Sequence, residues 1–177
     1  MIYVLIFLVL LIGVWLTGKL LKRNLLPEII IGTLIGLNWE IYSAHEWVYE
    51  SSKFVMIDLL IETIPLDVVI AWGASMAVIM LLVYEIMELL KTENKFMFLI
   101  IGWLVLFIIG FSIELVGYYG GFWSYSIKSN LTFWPTEIPL RIVFGWVTLG
   151  TCNLATIKFY REVVEKKLKL FFKSIKI

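Results

Sequence analysis

The fold class predicted for this chain is an all-α, polytopic membrane helical bundle of about five transmembrane helices, made of a parallel two-helix repeat and one extra amino-terminal helix. Three observations predict it. A hydrophobic content of 61%, a mean hydropathy of +0.94 and only 16% charged residues exclude an ordinary soluble domain. Apolar runs long enough to span a bilayer alternate with short polar connections. Finally, one set of landmarks recurs at a constant offset of 74 residues: Gly36 and Gly110, Glu40 and Glu114, Ile64 and Ile138, Pro65 and Pro139, Leu66 and Leu140, Val69 and Val143, Trp72 and Trp146. A carboxylate, a proline and a tryptophan in one register point to duplication. The chain therefore divides, within one membrane domain, into a first helix (1–24), a first unit (25–91), a second unit (96–160) and a basic tail (161–177).

Residues 2–18 form an apolar run without a preceding basic region or a following cleavage pattern, so they are expected to remain as a first span. Lys19, Lys22 and Arg23 follow it and should stay cytoplasmic, which puts the amino terminus outside. The second span runs from about Pro27 to Ser43. Gly32, Gly36 and Glu40 recur on one face of it, where the glycines admit either a close helix or a ligand beneath the carboxylate. From Ala44 to Thr63 the chain is too polar to span, and an interfacial helix is expected over 54–61.

Pro65 opens a third span to about Leu90, and the turn 91–95 carries two lysines on the inner side. A fourth span, from about Phe96 to Tyr119, has Gly110 one turn before Glu114. An aromatic outer loop leads to Pro139 and a fifth span ending near Tyr160. The tail beyond Arg161 is basic and amphipathic, suited to the inner membrane surface, which places the carboxyl terminus in the cytoplasm. Each unit contributes an even number of spans, so the units share one orientation and are parallel. The lone Cys152 can form no internal disulfide and reads as a small packing residue.

Candidate chemistry concentrates near the outer ends of the spans. An ionisable group inside a span costs about 2.5–3.5 kcal/mol at the centre on insertion scales, which makes Glu40 and Glu114 functional candidates by default. A structural alternative stands beside that: each carboxylate could accept hydrogen bonds from the helix start opened by Pro65 or Pro139. Asp67 and Arg141 also lie 74 apart and carry opposite charges, so a cross-repeat ion pair is expected. Trp72 and Trp146 either floor a pocket or pack between helices. Trp47, Tyr49, Trp123 and Tyr125 either anchor the chain in the interfacial belt or line a binding site. His45 has no partner histidine or cysteine, and no phosphate loop or metalloprotease pattern is present, so neither a metal nor a cofactor is expected. Asn130-Leu-Thr132 matches a glycosylation acceptor. A net charge of +1 does not favour nucleic acid as a partner.

The run Glu114, then Gly-Phe-Trp-Ser-Tyr at 121–125, then Ile-Pro-Leu at 138–140 resembles the membrane-integral lycopene cyclase domain of the two-part type. It is also similar to the related carotenoid hydratase-like membrane proteins. The resemblance covers Glu114 to Trp146 best and Gly32 to Trp72 more weakly. Position by position it carries over Glu114, Trp123, Tyr125 and Pro139, with Glu40, Trp47, Tyr49, Pro65 and Asp67 as their equivalents. Where the cyclase domain has paired acids after Pro-Leu, this chain has Asp67-Val68 and Arg141-Ile142.

The resemblance implies cofactor-free acid–base chemistry at a carbon–carbon double bond of an apolar isoprenoid-like ligand, by cyclisation or hydration. Glu40, Glu114 and Asp67 would be the acids and bases. Trp47, Tyr49, Trp72, Trp123, Tyr125, Arg141 and Trp146 would line the binding site. Two other classes fit the same residues: a small transporter or lipid-binding protein using a symmetric pair of glutamates, and a membrane subunit whose glycine faces dock a homo-oligomeric or other partner. Membrane lipids are partners in each case.

Overall fold

The computed structural model describes residues 2–60, 62–126 and 131–175, with only the backbone at 2–8 and 174–175. The chain is mostly helical. Its elements are α1 (Ile2–Leu20), α2 (Leu26–Ser43), β1 (Trp47–Tyr49), β2 (Met56–Leu59), β3 (Glu62–Pro65), α3 (Leu66–Leu89), α4 (Lys95–Tyr119), β4 (Trp123–Tyr125), α5 (Leu140–Phe159) and, after a π-helical turn at Tyr160–Val164, α6 (Glu165–Ile175). Three helices among the described residues are long and apolar enough to cross a membrane: Leu66–Leu89, Lys95–Tyr119 and the continuous Leu140–Lys173.

Local chemistry sets the helix boundaries. Pro65 (ψ 113°) and Pro139 (ψ 132°) are extended residues immediately before α3 and α5, and each presets the φ from which its helix starts. The Asn94 side chain accepts from the backbone N–H groups of Phe96 (2.8 Å) and Met97 (3.4 Å) at the start of α4. Pro27 sits in the first turn of α2, where its missing N–H costs nothing.

Alternating small and large side chains zip the helices into antiparallel pairs. On α2 and α3, Gly32 faces Met76 and Gly36 faces Trp72. On α4 and α5, Gly102 faces Leu154, Leu106 faces Gly150 and Gly110 faces Trp146. A Cβ at any of these glycines would fall 2.2 to 2.7 Å from the opposing side chain, so the helices meet this closely only because the Cβ is missing. The four-residue period places these contacts along one ridge of each helix. α3 also packs on α4 and α2 on α5, while α1 lies against α3. The main core runs through Met76, Ile79, Met80 and Val83 of α3, Leu106 of α4 and Leu154 and Ile157 of α5.

The segment 44–65 departs from the helix expected over 54–61, Ile61 lying outside the described residues. It forms a short 3-10 turn at Ala44–Glu46 and the antiparallel hairpin β2–β3, with Met56 paired to Pro65 and Leu59 to Glu62. The reason is local. A residue before proline is pushed out of the α region, so the approach to Pro65 is extended, and an extended segment needs a ladder partner. Leu60 supplies the turn at φ +57°, and Thr63 donates to Asp58 across it at 2.7 Å. Cys152 is exposed on α5 and does not pack in the core.

Candidate functional site

The site lies where α2 and α4 end and α3 and α5 begin. β1 and β4 close it as an antiparallel pair, with Trp47 opposite Tyr125, Val48 opposite Ser124 and Tyr49 opposite Trp123. Side chains alternate across a strand, so all four aromatic residues share one face while Val48 and Ser124 turn away and stay exposed. Glu50 N–H donates to Phe122 O (2.9 Å) and Ser126 N–H to Glu46 O (3.0 Å), which extends the ladder at both ends.

That aromatic face meets the two carboxylates. Glu40 is 2% exposed and Glu114 3%. Trp72 Nε1 donates to Glu40 Oε1 at 2.8 Å, and Trp146 Nε1 donates to Glu114 Oε1 at 2.7 Å. Tyr49 OH donates to Glu40 Oε2 at 2.7 Å. Glu114 Oε2 accepts twice, from Tyr125 OH at 2.7 Å and from Trp123 Nε1 at 3.1 Å. Charge-assisted bonds of this kind are the strong class, and they make buried carboxylates tolerable. Burial and the carboxylate beside it push both the Tyr49 and the Tyr125 phenols up, so each stays protonated.

The Trp72 and Trp146 rings stack at the centre of the site, 4.3 Å between centroids and 29° between planes. Each is seated on a glycine one turn before its glutamate, Gly36 for Trp72 and Gly110 for Trp146. The indoles thus fill the glycine gaps, and no ligand space lies there. Beside them opens a cavity of about 480 Å³, lined by Glu40, Glu114, Trp47, Tyr49, Trp72, Trp123 and Trp146 from the sequence-derived set. Apolar side chains of α3 (Val68, Ala71) and α4 (Ile109, Ile113, Val116), with Leu10 of α1 and the loop residues Phe54 and Phe122, form most of the remaining wall, to which Ser75 and Ser112 add two hydroxyl groups. Among the described residues no Lys, Arg or His lines it. Tyr125 stands behind Glu114, stacked on Tyr118 at 5.4 Å.

Several expectations change. Asp67 and Arg141 form no ion pair and do not line the cavity. Asp67 is fully buried and accepts from the Val55 backbone N–H at 3.3 Å, because the β2–β3 hairpin folds over the start of α3. Arg141 turns outward to Glu46 at 3.3 Å. The glutamates take indole and phenol donors, not the helix starts after Pro65 and Pro139. The β-strand residues Trp47, Tyr49, Trp123 and Tyr125 point inward as hydrogen-bonding walls and not outward as belt anchors. The glycosylation pattern begins at Asn130, outside the described residues. Among the described residues no group of three or more His, Cys, Asp or Glu could hold a metal ion.

Sequence reasoning missed the Glu28–Arg161 pair at the opposite end of the bundle. Glu28 is 0% exposed, and Arg161 donates to it from Nε (3.0 Å) and Nη2 (2.7 Å to each oxygen). Arg161 also reaches Glu165 at 3.0 Å and the Asn24 carbonyl. The only signal was an acid in the first turn of an apolar helix, which a dipole argument absorbs without a partner. No protein-family model, curated protein or solved structure matches the chain.

Proposed function

We propose that this chain is a multi-pass membrane protein whose cavity receives one end of an isoprenoid-like lipid and performs acid–base chemistry at a carbon–carbon double bond. The observation that carries this reading is the convergence of two buried carboxylates and a stacked tryptophan pair on one otherwise apolar cavity. Apolar walls suit a hydrocarbon, two carboxyl groups suit proton transfer in both directions, and indole faces suit a transient positive charge.

In this scheme one carboxylic acid gives its proton to one alkene carbon, a C–H bond forms, and the positive charge appears on the other carbon. A second double bond closes a ring on that carbon, or water adds to it. Loss of a proton to the other carboxylate restores neutrality, so the pair ends holding one proton, as it began. Both roles fall to Glu40 and Glu114, since Asp67 lies outside the cavity. The similarity to lycopene cyclase-type and carotenoid hydratase-like proteins supports the same class.

In the same reading α1 to α5 are five spans, and the chain is a tandem duplication in which Glu40–Trp72 and Glu114–Trp146 are equivalent contacts. Lys19, Lys22, Arg23, Lys91, Lys95 and the lysines of α6 lie at the end away from the cavity, which favours a cytoplasmic carboxyl terminus, an outer amino terminus and an outer-leaflet site. The two other classes gain less support. A closely packed core from Met76 to Val83 lies between the cavity and the far end, which disfavours conduction. The glycines Gly32, Gly36, Gly102, Gly110 and Gly150 are filled by side chains of the chain itself, which leaves those faces no partner helix to receive.

The test is to incubate membranes holding the protein with linear carotenoids and to separate products by chromatography. Wild-type turnover that falls at least about a hundredfold in Glu40→Gln and Glu114→Gln is expected, in line with loss of general acid–base assistance. No wild-type product, or turnover in the two variants unchanged from the wild type, would sink the reading.

A further inference from the structure

We propose that the two glutamates are not interchangeable: Glu40 carries the mobile proton of the pair and Glu114 is held as the carboxylate. This rests on the acid–base reading of the cavity and assigns the direction in which it works.

An indole N–H can only donate, whereas a phenol can donate or accept, so each indole contact fixes a carboxyl oxygen as an acceptor. On Glu114 both oxygens are fixed in that way, Oε1 by Trp146 at 2.7 Å and Oε2 by Trp123 at 3.1 Å, with Tyr125 adding a third donor. A proton on either oxygen would leave a buried indole N–H facing a hydroxyl that has lost most of its acceptor strength. On Glu40 only Oε1 is fixed, by Trp72. Among the described residues its Oε2 meets Tyr49 alone, at 2.7 Å, and that contact works in either direction. Protonated Glu40 can donate to Tyr49 with no donor stranded.

One proton must reside somewhere on the pair. Both carboxyls face the same mostly apolar cavity, and among the described residues no cationic side chain lines it. Two like charges there oppose each other, as in other paired carboxylates, and the single proton settles where the hydrogen bonds allow it. Charged groups of the neighbouring elements are engaged elsewhere. Asp67 on α3 is bonded to the Val55 backbone, Arg141 on α5 is paired with Glu46, Glu137 accepts from Tyr118 of α4, Glu50 accepts from Ser52, and Lys53 donates to the Gly120 and Gly121 carbonyls.

The asymmetry has a visible origin in the chain. Tyr49 is nine residues after Glu40, and Trp123 is nine residues after Glu114, so the same offset delivers a phenol in one case and an indole in the other. Tyr125 then follows at eleven. Two extra residues in the second loop slide its Trp-Ser-Tyr run along by one strand repeat, which keeps the aromatic face but exchanges the donor types.

The assignment is tested by infrared spectroscopy of the full chain in lipid nanodiscs, with glutamate carboxyl carbons labelled by ¹³C so that aspartate does not contribute. One glutamic acid C=O band is expected in the wild type. It should vanish in Glu40→Gln, move to higher frequency in Tyr49→Phe as its hydrogen bond is lost, and stay in place in Tyr125→Phe. A band that survives Glu40→Gln, that responds to Tyr125→Phe in place of Tyr49→Phe, or that is missing from the wild type overturns the assignment. Because the two tyrosine variants keep both carboxyls, they decide the matter even where Glu40→Gln does not fold. If the band behaves as expected and no polyene is turned over, the assignment stands and the catalytic reading falls. Turnover with the band on Glu114 overturns the assignment and leaves the catalytic reading standing.

Discussion

Gly110→Ala adds one methyl group at the centre of the bundle and should disturb both the fold and the site. The new Cβ would lie 2.5 Å from Cδ2 and 2.6 Å from Cγ of Trp146, against an ordinary carbon–carbon contact of about 3.5–4.0 Å. The indole must therefore retreat by about 1 Å. It has nowhere cheap to go, because its other face stacks on Trp72, which is itself seated on Gly36 and bonded to Glu40. Overpacking of this kind costs about 1–3 kcal/mol. Losing the Trp146–Glu114 bond, made to a charged group, adds about 1.5–3 kcal/mol. The better helix propensity of alanine returns about 1 kcal/mol. The net expectation is a loss of about 1.5–5 kcal/mol, or at least about tenfold in the folded-to-unfolded ratio. The assay is reversible unfolding in detergent micelles followed by tryptophan fluorescence. Gly145→Ala is the control, one residue before Trp146 on the same helix, where the nearest atom to the new Cβ is Trp39 Cζ2 at 3.6 Å; it should be neutral or mildly stabilising. If the two variants unfold within about 0.5 kcal/mol of each other, the glycine–indole seat is not what positions the site.

Two further outcomes follow from other parts of the molecule. Arg161→Met strips the partner from the fully buried Glu28 and should cost about 3–5 kcal/mol, while Glu28→Met/Arg161→Met together should recover much of it; a single variant no worse than Lys169→Met would show that the pair is not stabilising. Tyr49 and Tyr125 are pushed above the ordinary phenol value near 10 by burial and their carboxylate neighbours, so the folded chain binds more protons than the unfolded chain above that pH. Their contribution to stability is present below about pH 10 and is lost as pH climbs towards their folded values. Ultraviolet titration of the native chain should leave at least these two phenols un-ionised at the main transition, and both should ionise in denaturant; ionisation of every native tyrosine in one step near pH 10 would contradict the buried contacts.

Gly36, Glu40 and Trp72 can be picked out of the chain because they answer to Gly110, Glu114 and Trp146 at one spacing, and a four-residue glycine period is a one-dimensional pattern that a helix turns directly into a face. The same logic misplaced Asp67 and Arg141. Equal spacing assigns equal backbone positions, but the side chains answer to what folds over them, which is a hairpin for one and a loop glutamate for the other. The helix expected over 54–61 failed for a related reason: its apolar residues are as compatible with a strand as with a helix, and the partner strand decides. Glu28 and Arg161 lie far apart in sequence, so their pairing had no local signature at all.

By itself, then, the sequence determined the helical membrane-type architecture, the helix boundaries at Pro65 and Pro139, and the two carboxylates as candidates, because hydropathy, proline and period act within a few residues; that indole N–H groups bind those carboxylates came only from the structure. Only the tertiary structure decided that Glu40 and Glu114 share one cavity, that Trp72 and Trp146 stack between them, and that the antiparallel pairing of β1 with β4 turns four interfacial aromatics inward. Those facts depend on two distant loops meeting in register. The difference between one indole donor on Glu40 and two on Glu114 is set by that meeting, Tyr49 following Glu40 at the spacing at which Trp123 follows Glu114.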